Sequence, residues 1–247
     1  FTGSPTRFPI MAYADSVYGP GRNDFGFGPD KGLPFAGLDP FPGHGLADAA
    51  INTLLNTFAT NVELFGWGTG SLLLIAWFLL ARQVRRRDVP LLLAVFAVVL
   101  GHVPYWFSGG PDFGARYWWL VIFPLTALAA RAIGALEERL AVRRLGEGRV
   151  LLAVALLSLS AMLAFIPWRS IDKYFHYRGM RPDIRDMARD GRFGDGVVLI
   201  RGVRHPDYHS AAVYNPVDLH ARVPIYAWDR GDSTRARLAR AFADRAG

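Results

Sequence analysis

Cysteine is absent from the 247 residues, which excludes disulfides and thiolate metal ligands. Lysine is almost absent too: Lys31 and Lys173 stand alone, so arginine carries nearly all the positive charge. There is no nucleophile elbow, no glycine-rich dinucleotide fingerprint and no internal repeat. Gly-Phe-Gly-Pro-Asp-Lys-Gly at 26–32 lacks the Walker spacing and the strand-to-helix setting of a phosphate loop. No basic stretch followed by a short apolar core marks a signal peptide. His205, Asp207 and His209 invite a zinc reading, but a metal needs further ligands and Pro206 favours a turn or helix start, so no metal and no cofactor are expected.

What the chain has in quantity is apolar length. Its 51% hydrophobic content is high for a soluble protein and low for one wholly immersed in lipid. Four runs, about Leu64 to Ala81, Val89 to Phe107, Tyr117 to Leu136 and Val150 to Trp168, each suffice at about 1.5 Å per residue to cross, or nearly cross, a hydrocarbon core of about 30 Å. Arg82, Arg85, Arg86 and Arg87 join the first two runs. Arg139, Arg143, Arg144 and Arg149 join the last two, with Arg131 near the inner end of the third. The positive-inside rule makes both joining loops cytoplasmic. It also accounts for the net charge of +7 without nucleic acid as a partner. Trp67, Trp106, Trp118, Trp119 and Trp168 fall at the opposite ends, where aromatic belts sit.

The expected fold is therefore an α-helical polytopic membrane region of about four transmembrane helices, followed by a small extracytoplasmic α/β domain. Residues 1–62 form an extracytoplasmic loop, irregular to about Pro42, and an amphipathic surface helix from Leu46 to Asn61. Residues 63–168 carry the four helices. Residues 169–247 form the α/β domain, with helices at 181–190, 209–214 and 233–245 and a parallel pair of strands at 196–201 and 223–228. An outer loop of about sixty residues with no signal peptide implies that a longer polytopic protein carries it across. The expected location is the inner (plasma) membrane, with membrane lipids as partners.

The turn between the second and third runs concentrates the chemistry. Arg116 and Asp112 lie in a polar loop edged by Tyr105, Trp106, Tyr117, Trp118 and Trp119. A guanidinium there could grip a phosphate, or snorkel to headgroups or pair with Asp112. His102, near the outer end of the second run, could donate to a ligand or bond a carbonyl freed by Pro104. Glu63 and Asn61 could line a site, although capping or solvent-facing roles are commoner. Arg22, Asp24, Asp30, Lys31 and His44 in the N-terminal loop could cover substrate or simply order that loop. The candidate substrate-binding residues are Arg116, Tyr117, His102, Tyr105 and Asp112, and no catalytic residue is assigned.

Leu-Phe-Gly-Trp at 64–67, Tyr-Trp-Phe at 105–107, and Phe-Gly-Ala-Arg-Tyr-Trp-Trp at 113–119 before a span with Phe-Pro-Leu resemble the C-terminal half of bacterial C-type membrane glycosyltransferases. These include the protein O-mannosyltransferases and aminoarabinose transferases. The tail is similar too, with Val-Val-Leu-Ile-Arg, Asn215-Pro216 and Pro-Ile-Tyr-Ala. The resemblance implies a polyprenyl-phosphate-linked sugar as donor and transfer to an acceptor at the extracytoplasmic face. It also implies a catalytic carboxylate in the first outer loop of such enzymes, upstream of the residues matched here. The rival reading is a non-catalytic membrane anchor carrying an extracytoplasmic α/β binding domain.

Overall fold

The stretch expected to be irregular up to Pro42 contains a helix, α1 (Pro9–Tyr18), started by a proline in its first turn and ended at Gly19, whose φ of 108° no other residue adopts easily. It turns only Ala14 fully inward, so its ten residues show little periodicity to read. The structure, a computed structural model, describes residues 7–33, 43–109, 114–142, 148–202 and 205–245. It divides into two units, Phe1–Trp168 and Arg169–Gly247. The chain is mostly helical, with two long apolar helices and a small parallel sheet near the C-terminus.

In the first unit, α2 (Leu46–Glu63) realises the apolar spacing seen in the sequence. Asp48 opens it by accepting the Gly45 N–H at 2.7 Å. Its polarity is inverted, however: Asn56 and Thr60 are buried while Leu46, Leu54 and Phe58 stand 79%, 69% and 68% exposed. After α2 the expected first run does not form one long helix. Gly66 and Gly70 take left-handed φ values of 64° and 90°. The Asn61 side chain then accepts the Leu72 N–H at 3.0 Å and Ser71 Oγ accepts the Phe65 N–H at 2.9 Å, so the helix restarts only as α3 (Leu73–Leu80). Gly70 is required there, because a Cβ would sit 2.7 Å from the Asn61 amide.

The second run is likewise shorter as a helix, α4 (Val89–His102), 14 residues or roughly 21 Å long. The third and fourth are the long ones. A 3-10 turn, Arg116–Val121, leads into α5 (Ile122–Val142), giving a helical run of 27 residues. The fourth starts as α6 (Arg149–Ser160) and continues through π-helical turns to Tyr174, 26 residues in all. By length and composition both can cross a membrane: each is roughly 40 Å long against a core of about 30 Å.

The core of this unit lies where α3 and α4 meet α5. Ile75 and Phe78 pack against Trp118, Val121, Leu125, Leu128, Ala129 and Ala132, one face of the third helix. At the arginine-rich end, buried Asp88 accepts the Arg85 N–H at 2.8 Å and Arg131 Nε at 3.1 Å. Arg131, read near the inner end of the third run, is thus an ion-pair partner of Asp88. Glu137 on α5 caps α6 by accepting the N–H groups of Gly148 and Val150. Of the tryptophans read as interfacial, Trp67, Trp106 and Trp118 are buried in the protein and Trp119 and Trp168 are exposed.

In the second unit, α7 (Asp183–Arg189) precedes β1 (Val197–Ile200), and α8 (His205–Ala212) crosses over to β2 (Ile225–Trp228). The strands pair in parallel with Val197 opposite Ile225 and Ile200 opposite Trp228, and α9 (Asp232–Ala241) follows. Asn215 acts as a short surrogate strand for β2: its amide donates to the Tyr226 carbonyl at 2.8 Å and accepts the Tyr226 N–H at 2.7 Å. Arg245 closes the 219–223 turn by donating to the carbonyls of Leu219, Ala221 and Val223. Two paired strands alone are marginal, and these side-chain bonds supply neighbours the sheet lacks.

Asp229, at the end of β2, is nearly buried and takes Arg235 Nε at 2.9 Å, Arg235 Nη2 at 2.7 Å, the Gly231 N–H at 3.1 Å and Arg201 Nε at 3.3 Å. The Arg235 bonds foremost, then the Gly231 N–H, hold its carboxyl well below the usual carboxylate range. Its contribution to stability is therefore full above the unfolded carboxyl range and lost as pH falls through the lower folded value. Segment 169–247 expressed alone should unfold cooperatively, and its melting temperature should drop on acidification below about pH 4. Asp229→Asn should lower the melting temperature at pH 7 and flatten that acid slope. Equal acid slopes in the two proteins would contradict the arrangement.

Candidate functional site

Tyr117 lies in the 3-10 turn that begins at Arg116, and its ring collects most of the residues singled out in the sequence. The His102 ring stacks near it with centroids 6.2 Å apart and planes 21° from parallel. Tyr105 meets it edge-on at 5.5 Å and Phe107 at 6.1 Å. The Arg116 guanidinium sits 5.2 Å from the Tyr117 centroid and 5.5 Å from that of Phe107. Beside these two rings, the exposed cation gains quadrupole attraction worth about 0.5–2 kcal/mol per ring, which biases its orientation. Asp112 lies outside the described residues.

His102 Nδ1 bonds the Val98 carbonyl at 2.8 Å, one helical turn back. With Nδ1 carrying the proton, the ring's Nε2 is the atom that could face a ligand. The N-terminal residues hold this cluster from the other side. Asn23, buried, accepts Trp106 Nε1–H at 3.0 Å and the Tyr105 hydroxyl at 3.3 Å. The Gly26 N–H donates to the Pro104 carbonyl at 2.7 Å, and His44 Nε2 bonds the Val103 carbonyl at 2.9 Å. Asn52 on α2 adds a bond to the Trp106 carbonyl at 2.8 Å. The carbonyls of Val103, Pro104 and Trp106 in the 103–106 turn are thus each tied down. Lys31 donates to the Gly21 carbonyl at 2.8 Å, an internal bond of the same lobe.

Beside this cluster is a pocket of about 250 Å³ between the end of α2 and the Arg116 turn. Thr60, Glu63, Arg116, Trp118 and Trp119 line it together with small and aliphatic residues. The Glu63 carboxylate lies over Gly114, where an added Cβ would come within 3.2 Å of Oε2. Cation and carboxylate therefore share one small cavity. Thr60 Oγ1 and Trp118 Nε1 are buried with no hydrogen-bond partner among the described residues. Leaving such a group unpaired costs about 1–3 kcal/mol, and buried polar groups without partners are rare enough to mark a place for a ligand or water. Asn61, the neighbour considered with Glu63, serves instead as the cap of α3.

Glu63, Thr60 and Trp118 were not assigned to the site from sequence. Asn52, Asn56, Thr60 and Glu63 recur at helical spacing, and that polar stripe is the signal that points to Thr60 and Glu63, although such a stripe normally faces water. No protein family, curated protein or solved structure matches this chain.

Gly109 sits under the cluster with φ 99°, and a Cβ there would lie 3.2 Å from Arg116 Cγ and 3.3 Å from Tyr117 Cδ2. Gly109→Ala should cost about 1–3 kcal/mol of stability from backbone strain and crowding. Gly134→Ala, in the exposed middle of α5 with open space around it, should be neutral or stabilise by up to about 1 kcal/mol. Thermal unfolding in detergent checks both, and equal melting temperatures for wild type and Gly109→Ala would contradict the packing described.

Proposed function

We propose that this chain forms part of an integral glycosyltransferase of the inner membrane, one that moves a sugar from a polyprenyl-phosphate carrier to an acceptor at the extracytoplasmic face. The observation that carries the reading is the Arg116 guanidinium, oriented by Phe107 and Tyr117 at the edge of a pocket that also holds Glu63. The sequence resemblance supports the same chemistry.

In this reading α5 and the α6 run cross the bilayer, and α3 and α4 pack on α5 within it. The exposed stripe Leu93, Phe96 and Leu100 of α4 supports an apolar surrounding, as does the exposure of Leu152, Leu156, Leu159 and Leu163 along the α6 run. The arginine-rich loops face the cytoplasm and residues 169–247 lie outside.

The reaction is an inverting displacement. The acceptor hydroxyl oxygen forms a bond to the anomeric carbon as the bond from that carbon to the phosphate oxygen breaks, and the electron pair leaves on the phosphate. The hydroxyl proton goes to the carboxylate that the resemblance assigns to the first outer loop of such enzymes. Arg116 acts on the leaving phosphate, whose negative charge grows through the transition state, where a fixed cation lowers the barrier most. A guanidinium offers a bidentate fork that an ammonium lacks.

In the complete protein as encoded, activity should fall in the order wild type, Arg116→Lys, Arg116→Ala. The alanine variant should lose about 2–4 kcal/mol of transition-state stabilisation, or roughly thirty- to a thousand-fold in rate. Near-wild-type turnover of an Arg116→Ala protein that inserts normally would overturn the assignment.

A further inference from the structure

We propose that the pocket between α2 and the Arg116 turn is a subsite for one hydroxyl-bearing ring, the sugar of the donor whose phosphate Arg116 holds; this rests on the function proposed above. Size is the first argument. At about 250 Å³ the pocket exceeds a water's share of roughly 30 Å³ several-fold, yet it falls below the roughly 300–1,000 Å³ of sites for drug-sized ligands. A single ring-sized group fits that interval, and a whole lipid-linked donor does not.

Chemistry narrows the class further. Trp118 Nε1 can only donate, Thr60 Oγ1 can donate or accept, Glu63 accepts when ionised and Arg116 only donates. Thr60 and Trp118 are more than nine-tenths buried, and both polar atoms lack a partner among the described residues. An apolar ring would leave the indole N–H unpaired. An anionic ring would meet the Glu63 carboxylate, and a cationic one the Arg116 guanidinium. A neutral ring with several hydroxyls offers acceptors to the indole and guanidinium and a donor to the carboxylate, while its C–H faces lie against the Trp118 and Trp119 rings.

Placement agrees with that division of labour. Arg116 lines this pocket and also stacks on Tyr117 and Phe107 outside it. A phosphate at the guanidinium would therefore leave its attached ring within reach of Thr60 and Trp118. The polar stripe of α2 then has a purpose at its C-terminal end, where Thr60 and Glu63 lie one turn apart on one face.

The test is calorimetric binding to the full-length protein in detergent. The probes are a short-chain isoprenyl phosphate and the same phosphate bearing a glucosyl, galactosyl or arabinosyl group. For each variant the quantity read is the affinity ratio of the best sugar-bearing probe to the bare phosphate. In wild type that ratio should be about tenfold, the worth of one or two neutral hydrogen bonds. Thr60→Val and Trp118→Phe, which keep size while removing the polar atom, should each lower the ratio about threefold or more. Thr60→Ser, which retains the hydroxyl, should preserve it. Variant folding is followed by thermal unfolding, and the serine variant keeps the comparison decisive should valine disturb α2. A wild-type ratio of one for all three sugars, or an unchanged ratio in both Thr60→Val and Trp118→Phe, would overturn the subsite. If Arg116→Ala leaves bare-phosphate affinity intact, it is the phosphate assignment that falls, and the sugar ratio still decides this one.

Discussion

The inward turn of the polar face of α2 is the constraint on which the rest of the first unit depends. Asn52, Asn56, Thr60 and Glu63 occupy the face packed on the protein, whereas Leu46, Leu54 and Phe58 stand outside it. In water this arrangement loses twice. Each large apolar side chain left outside forgoes about 1.5–3 kcal/mol of burial, and each amide or hydroxyl taken inside must replace its hydration. In an apolar surrounding both terms reverse, since lipid accepts the leucines and the protein interior is the better place for polar groups. On the proposed membrane reading, the helix is the wall of a polar chamber set in an apolar medium. Asn52 holds the Trp106 carbonyl, Thr60 and Glu63 line the pocket, and Asn61 caps α3.

Around that wall the site is held by many weak contacts rather than by one strong one. Tyr117 gathers His102, Tyr105, Phe107 and Arg116, and the 103–106 turn beneath it is fixed by Asn23, Gly26, His44 and Asn52. On the proposed reading, a guanidinium biased by these rings loses less rotamer freedom when it meets a phosphate, and preorganisation of that kind raises both affinity and rate. The Asp88–Arg131 pair joins the start of α4 to the middle of α5 and helps to hold the register of the helix that carries His102 against the one that follows the Arg116 turn.

Much of this was legible in the sequence where one physical rule dominated. The apolar spacing from Leu46 to Asn61 became α2 with a difference of two residues at its end. The runs 196–201 and 223–228 became the parallel strands β1 and β2. Candidates chosen for aromatic and cationic character around 102–117 converge on one ring. The rest was hidden where rules compete. Hydropathy in 64–81 argued for one helix, but Gly66, Gly70 and the Asn61 cap break it. The sequence also does not show that Trp67, Trp106 and Trp118 pack into the protein. Thr60 escapes notice, and Glu63 reads first as a cap or a solvent-facing residue, because a stripe of polar residues reads equally well as a solvated face until its direction is known.

That direction can be measured. Because these 247 residues contain no cysteine, Phe58→Cys or Leu54→Cys adds a single thiol to them, and in the full protein, with any cysteine elsewhere replaced by serine, a nitroxide is placed there and the protein is reconstituted into bilayers. Relaxation by oxygen, which partitions into lipid, is then compared with relaxation by a water-soluble nickel chelate. The inverted helix requires both labels to be relaxed strongly by oxygen and weakly by the chelate. Strong relaxation by the chelate at both positions would put that face in water and contradict the account at its root.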